Sequence, residues 1–183
     1  MRSATGYDTV QRTLHWLTVA WVMVMVPVGI AMTHAAFRPL QDTLFIIHKN
    51  GGVLLGLILV ARLAWRLTHR PTPLPASVPP VQRRLSAATH VLLYALLFGM
   101  VVTGYLRVVG GGFPIELLNL LGIPPLVGSL GDTATTLSAV HKFLAYTLVV
   151  TATIHVTAAL HHAVVERDGV MQRIWPPVAP KTD

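Results

Sequence analysis

The sequence predicts an all-α integral membrane protein, a four-helix antiparallel bundle. Hydrophobic residues make up 53% of the 183 residues and charged residues only 11%, which is unusual for a water-soluble domain. Four apolar stretches are each about 20 residues long, the length that a helix needs to cross the hydrocarbon core of a bilayer. Because these stretches are apolar on every face, without the alternation of a barrel strand, they favour helices.

We expect one domain over residues 1–183, with spans at 10–33, 43–68, 84–107 and 138–166. The segment HRPTPLPASVPPVQRR, between the second and third spans, is rich in proline, which prevents a continuing helix and separates two helical hairpins. The outer loop, residues 108–137, contains the apolar run IELLNLLG. This run predicts a short helix lying at the outer membrane surface.

The distribution of basic residues predicts the orientation, because cytoplasmic loops are enriched in Lys and Arg. Of the 14 Lys and Arg residues, only Arg38, Lys49, Arg107 and Lys142 fall outside if the amino terminus is inside. We therefore expect both termini to be cytoplasmic. The formal charge of +7 belongs to segments that flank the spans, so it indicates contact with membrane lipids and not with nucleic acid.

The chain has no cysteine, which excludes disulfides, cysteine-ligated iron–sulfur clusters, thiolate-ligated haem and covalently attached c-type haem. Any redox function requires another kind of cofactor attachment.

Four of the nine histidines lie at two matched depths in the predicted spans. His48 and His141 are both near the outer surface, whereas His15 and His155 are both nearer the inner one. His155 follows His141 by 14 residues, almost four helical turns, so the two share a face about 21 Å apart. Histidine within a span is rare and usually functional. The pattern predicts two cross-bundle His/His pairs.

Each pair could clamp one planar haem, with one imidazole above the iron and one below, inside the bundle. Iron with two protein ligands has no open position for oxygen, which favours electron transfer. His90 lies at a depth similar to that of His15 and is the rival ligand. A metal-transport path or proton relay is the competing interpretation, although no span has Asp or Glu in its interior. Small residues that would admit a macrocycle are Gly29, Gly51, Gly52, Gly56 and Gly104.

Several polar residues near the span ends are further candidates. Arg62 and Arg66 either reach lipid headgroups or pair with haem propionates on the inner side. Lys49 and Lys142, each directly after a proposed ligand, are the equivalent candidates on the outer side. His161 and His162 lie near the inner surface, where solvation competes with a quinone or proton site.

The chain resembles the bacterial cytochrome b561 family over residues 12–176. The resemblance is carried by RTLHW around His15, IIHKNGG around His48, RLAWRLTHRPTPLP closing the second span, and VHKFLAYTLVVTATIHVTAALHH with ERDGV in the fourth. It implies two non-covalent b haems, an inner one held by His15 and His155 and an outer one held by His48 and His141. It also favours His15 over His90 as the inner ligand.

The resemblance implies a quinone-linked oxidoreductase in the bacterial inner membrane. One branch of the family oxidises superoxide at the outer face and reduces ubiquinone, and we expect a quinone site near His90, His161 and His162. A redox protein is the alternative donor. The competing functions are a haem b subunit serving a partner dehydrogenase or hydrogenase, and a non-redox histidine-rich transporter. We expect a monomer or a homodimer.

Overall fold

The computed structural model describes residues 6–70 and 73–175, in which every regular element is helical. The α-helices are α1 (Thr9–Ala31), α2 (Gln41–Thr68), α3 (Pro80–Gly110), α4 (Glu116–Leu120) and α5 (Asp132–His161). All except α4 are long and apolar enough to cross a membrane. The predicted all-α fold class with four spans is thereby confirmed. Both chain ends lie outside the described residues, so the cytoplasmic location of the termini stays a prediction.

The long helices begin at residues suited to a first turn. Asp8 precedes α1 and accepts a hydrogen bond from the Gln11 amide at 2.8 Å, which caps the helix. The third helix starts at Pro80 and not at residue 84, since proline at the first position loses no intrahelical hydrogen bond. The fifth starts at Asp132 and not at residue 138, because a carboxylate in the first turn complements the helix dipole.

Three pairs of long helices are in close backbone contact: α1 with α2, α2 with α3, and α3 with α5. Neither α1–α5 nor α2–α5 belongs to the closely packed pairs of the described chain. The mid-bundle core consists of leucines from three helices, Leu55, Leu59, Leu96, Leu97 and Leu148. This apolar layer separates the outer half of the bundle from the inner half.

The lipid-facing surface is apolar, as the composition requires. Each long helix exposes large aliphatic side chains, for example Met23, Leu57, Val91 and Ile154. In water such a surface would be unfavourable, whereas in a bilayer it is solvated by lipid tails.

Candidate functional site

The outer pair of histidines meets across the bundle. His48 on α2 and His141 on α5 face each other with ring centroids 6.3 Å apart and ring planes at 85°. A metal–imidazole bond is about 2 Å long and the ring centre lies roughly 1 Å behind the nitrogen, so two imidazoles on opposite sides of one metal ion have centroids about 6 Å apart. The spacing of the outer pair would allow both imidazoles to bind one metal ion between them.

Thr103 controls the tautomer of His141. The Thr103 hydroxyl donates its own proton to the Gly99 carbonyl at 2.6 Å, so towards Nδ1 of His141, 3.0 Å away, it is the acceptor. His141 thus carries its proton on Nδ1, and Nε2 keeps a free lone pair. Metal-ligating histidines commonly have such a partner on the other nitrogen.

Glycines allow backbone to approach both rings closely. A Cβ added at Gly29 would lie 2.9 Å from Cε1 of His48, and one at Gly104 would lie 3.1 Å from Cε1 of His141. Nδ1 of His48 is buried and has no hydrogen-bond partner among the described residues. Gly51, by contrast, packs against Met25 and serves helix packing.

A cavity of about 1320 Å³ opens beside the outer pair, more than the roughly 300–1,000 Å³ of most ligand pockets. Most of its wall is apolar, and its lining includes both histidines together with Gly52, Gly56, Gly104 and Arg107. Two facing imidazoles, close glycines and an apolar wall fit a haem.

The two outer lysines have different environments. Lys49 lines the cavity, but its Nζ donates to Oε1 of Glu116 at 2.7 Å and to the Pro114 carbonyl at 2.8 Å. Asn50 donates to the other Glu116 oxygen at 2.9 Å and accepts from the Leu117 amide at 2.8 Å. Together these contacts fasten α4 over the cavity. Lys142 is exposed and is not one of the described residues that line it.

Arg107 is a further cation of the outer site, one that the sequence pattern marks only as a basic residue on the outer side. Its Nε donates to the Ser138 hydroxyl at 3.0 Å, and its charge acts on both His48 and His141. The available signal was its position one turn after Gly104, near the outer end of the third span.

The three inner histidines, His15, His90 and His155, form a cluster that also contains Arg62. His90 and His155 are in direct edge contact, with ring centroids 5.2 Å apart. Arg62 donates to Nδ1 of His15 at 2.8 Å and lies over the Tyr94 ring at 5.2 Å. His15 lies within electrostatic range of the other two histidines, and Arg66 within range of His90.

Protonation differs between the two rival inner ligands. His90 donates from Nδ1 to the Ser86 carbonyl at 2.6 Å, so its Nε2 is free. A guanidinium can only donate, so Nδ1 of His15 is an acceptor and its proton lies on Nε2. The free Nε2 favours His90 as the ligand, whereas helix packing favours His15, because a haem needs space between the two helices that hold it. His90 and His155 belong to the closely packed pair α3–α5, whereas α1 and α5, which carry His15 and His155, are farther apart.

Three candidate histidines of the fourth span lie on one stripe. His141, Leu148, His155 and His162 follow one another at intervals of seven residues, close to two helical turns, so they lie on nearly the same face. Leu148 belongs to the mid-bundle core.

His162 forms a 2.6 Å contact with Asp168, and the neighbouring His161 is exposed. No group of three or more His, Cys, Asp or Glu side chains able to hold a bare metal ion occurs in the part of the chain that the structure describes.

The chain is similar to known proteins over nearly its whole length. A family model described as prokaryotic cytochrome b561 matches residues 6–177. "Cytochrome b561 homolog 2" of Escherichia coli (strain K12) is 32% identical over 170 residues, which is 92% of this chain and 90% of that protein. "Probable superoxide oxidase CybB" of Yersinia pestis is 25% identical over 170 residues, which is 93% of this chain and 96% of that protein.

Proposed function

Since the chain belongs to the prokaryotic cytochrome b561 family, a multi-pass membrane family of b-type haem proteins that transfer electrons, we propose that it carries two haems and links an outer electron donor to quinone. The outer haem is assigned to His48 and His141, and the inner haem to His15 and His155. When bound, the two haems would supply one-electron transfer between the two sides of the bacterial inner membrane.

The main support is the outer pair, with its ring spacing of 6.3 Å beside a large apolar cavity. A second support is helix spacing. A haem held between two helices would need room for both imidazole rings and the iron. Two helices whose backbones pack directly against each other leave no such room. Both assigned pairs join helices that are not closely packed, α2 with α5 and α1 with α5.

His90 is the second candidate for the inner ligand, because its Nε2 is free and its ring already touches His155. However, 5.2 Å is less than the separation of about 6 Å that two imidazoles on opposite sides of one metal require. We therefore assign His90 to the wall of the inner site. Ligation by Nε2 of His15 would place that ring's proton on Nδ1, and Arg62 would be released from it.

The cations around each pair are suited to hold propionates. Arg62 is largely enclosed among the inner histidines, where a guanidinium fork is well matched to a carboxylate, and Arg66 lies nearby. On the outer side Arg107 is the main candidate to bind a propionate, because it lines the cavity without an acidic partner among the described contacts. Lys49 also lines the cavity, and Lys142 lies at the surface. Lys49 would have to share its charge with Glu116.

Superoxide is the proposed donor at the outer face and ubiquinone the proposed acceptor near His90, His161 and His162. One relative carries superoxide oxidase in its name. On the outer side, Arg107 and Lys49 next to the cavity would attract an anion. A redox protein, or a partner dehydrogenase or hydrogenase, is the alternative source of electrons.

The test is superoxide-dependent reduction of a soluble ubiquinone analogue by the purified, haem-loaded protein. We expect quinol to form with superoxide present, to stop when superoxide dismutase is added, and to fall strongly in His48→Ala. Protein whose haems accept electrons from dithionite but not from superoxide would require a protein donor. Purified protein without b-type absorption bands would favour the transporter.

A further inference from the structure

The chain after α5 folds back on itself and places a carboxylate against a histidine. Beyond His161 the helix continues as one wider π turn, His162–Glu166. Arg167 then adopts a left-handed backbone conformation with φ 50°, and Gly169 follows with φ 82°. This reversal brings Oδ2 of Asp168 to 2.6 Å from Nδ1 of His162. Single π turns inside helices are frequent at functional sites.

Asp168 is held in an orientation that keeps it ionised. Its Oδ1 accepts a hydrogen bond from the Val170 amide at 3.1 Å, while its Oδ2 faces His162. Burial would raise the pKa of Asp168, but the hydrogen bonds from Val170 and His162 outweigh it, so the pKa is lowered. The carboxylate therefore accepts a hydrogen bond from Nδ1–H of His162, and the remaining nitrogen of that ring, Nε2, is left for exchange with a ligand or water.

The pair lies at the inner end of the stripe that carries the haem ligand candidates. His162 follows His155 by two helical turns, a rise of about 10 Å, on nearly the same face of the fourth span. Both side chains are mostly buried, with 18% of His162 and 12% of Asp168 exposed. An imidazole oriented by a carboxylate at Nδ1 is a well-known arrangement for proton transfer at Nε2.

We propose that His162 is the proton donor to a quinone oxygen at the inner end of the bundle, and that Asp168 is its positioning residue. This rests on the proposed reduction of quinone by this protein. Conversion of a quinone to a quinol takes two electrons and two protons. The electrons arrive singly from the outer donor. Each proton leaves Nε2 of His162, forms an O–H bond on the quinone, and is replaced from water on the inner side, while Asp168 stays ionised.

A purely structural role for the pair makes a different prediction. His162 and Asp168 would then only fasten the segment after α5, and any side chain able to donate to Asp168 would replace the imidazole. His162→Gln meets that condition, since a glutamine amide can donate to the carboxylate but cannot release a proton. Asp168→Asn removes the charge at nearly constant shape, Asp168→Glu keeps it, and Glu166→Gln removes a carboxylate on the same segment outside the pair.

The experiment follows haem reoxidation after purified, dithionite-reduced protein is mixed with a ubiquinone analogue, in H₂O and in D₂O. We expect His162→Gln and Asp168→Asn to slow reoxidation at saturating quinone about tenfold or more, with little change in the half-saturating quinone concentration. Asp168→Glu should recover part of the rate, and Glu166→Gln should match wild type. Added imidazole should partly restore His162→Ala, which leaves the space of the ring empty, and the D₂O effect should be larger in Asp168→Asn than in wild type.

Two failures are distinguishable. Wild-type protein whose haems are not reoxidised by any quinone would overturn the proposed function, whatever the variants do. Wild-type protein that reduces quinone, with His162→Gln and Asp168→Asn reacting at the same rate, would overturn the proton-donor assignment alone. A slow His162→Ala that added imidazole does not restore would also count against it, since a free imidazole in the vacated space should then replace the proton donor.

Discussion

Thr103 accepts a hydrogen bond from Nδ1 of His141 at 3.0 Å and thereby determines which nitrogen of that ring carries its proton. The hydroxyl can act only as acceptor here, because its own proton is committed to the Gly99 carbonyl. A ring prepared in this tautomer needs no proton rearrangement before it binds a metal. The outer site is therefore preorganised on α5, whereas at the inner site Arg62 occupies Nδ1 of His15.

Thr103→Val tests this preorganisation. Valine has nearly the same shape but no acceptor, so the tautomer of His141 is no longer determined. We expect the affinity of the outer site for haem to fall about 10- to 100-fold, as for other losses of a ligand's hydrogen-bond partner. Titration of haem-stripped protein with haem measures the change. Thr103→Ser keeps the acceptor and should bind like wild type, and equal affinity in the valine variant would contradict the role of Thr103.

Gly29→Ala tests the close approach of α1 to the outer pair. The new Cβ would lie 2.9 Å from Cε1 of His48, so either the ring or the helix must shift. We expect purified protein to contain less outer haem while the inner haem is retained. Gly99→Ala is the matched control, because its Cβ would meet only the movable end of Leu144 at 3.2 Å. Full haem content in Gly29→Ala would show that His48 does not depend on this contact.

The identity of the inner ligand is tested by two alanine substitutions. Because α3 packs directly on α5, we expect His90→Ala to keep both haems with a shifted inner spectrum. His15→Ala should lose the inner haem. Absorption spectra of the two purified variants, compared at equal protein concentration, distinguish the ligands. Loss of haem in His90→Ala with retention in His15→Ala would reverse the assignment.

The contact between Lys49 and Glu116 predicts a pH-dependent outer loop. The Lys49 hydrogen bond is the main cause that lowers the pKa of Glu116, against the opposing effect of burial. A lowered pKa means that the contribution to stability is present above the ordinary value of 4.5 and is lost as the pH falls through the lowered one. For a partly exposed pair we expect about 1 kcal/mol or less.

Hydrogen exchange of the α4 amides measures this effect. Exchange, corrected for its intrinsic pH dependence, should show less protection at acidic than at neutral pH, and Glu116→Gln should show the acidic behaviour at neutral pH. Glu166→Gln, at the other end of the bundle, should leave α4 unchanged. Protection that is the same in Glu116→Gln and wild type would mean that apolar contacts alone hold the loop.

Hydropathy and spacing were sufficient for the four spans and for the facing of His48 and His141, because both follow from helix period and bilayer thickness. Other features depend on contacts between distant segments. The ion pair of Lys49 with Glu116 forms only once the outer loop folds over α2. The packing of α3 on α5, which brings His90 to His155, leaves no periodic signal in either helix.

The contact between His162 and Asp168 could not be predicted from the spacing of the two residues either. Six residues apart, two side chains on a regular α-helix would not face each other. They meet because the helix widens into a π turn and the backbone reverses at Arg167. The glycine after Asp168 was the only sequence sign of a turn.

The most direct test of the two-haem account is the haem content per chain of purified wild type and His48→Ala, by pyridine haemochrome assay. We expect two b haems in wild type and one in His48→Ala, while His34→Ala, a histidine in the connection between α1 and α2 that belongs to neither pair, keeps two. One haem or none in wild type, or two in His48→Ala, would contradict the account.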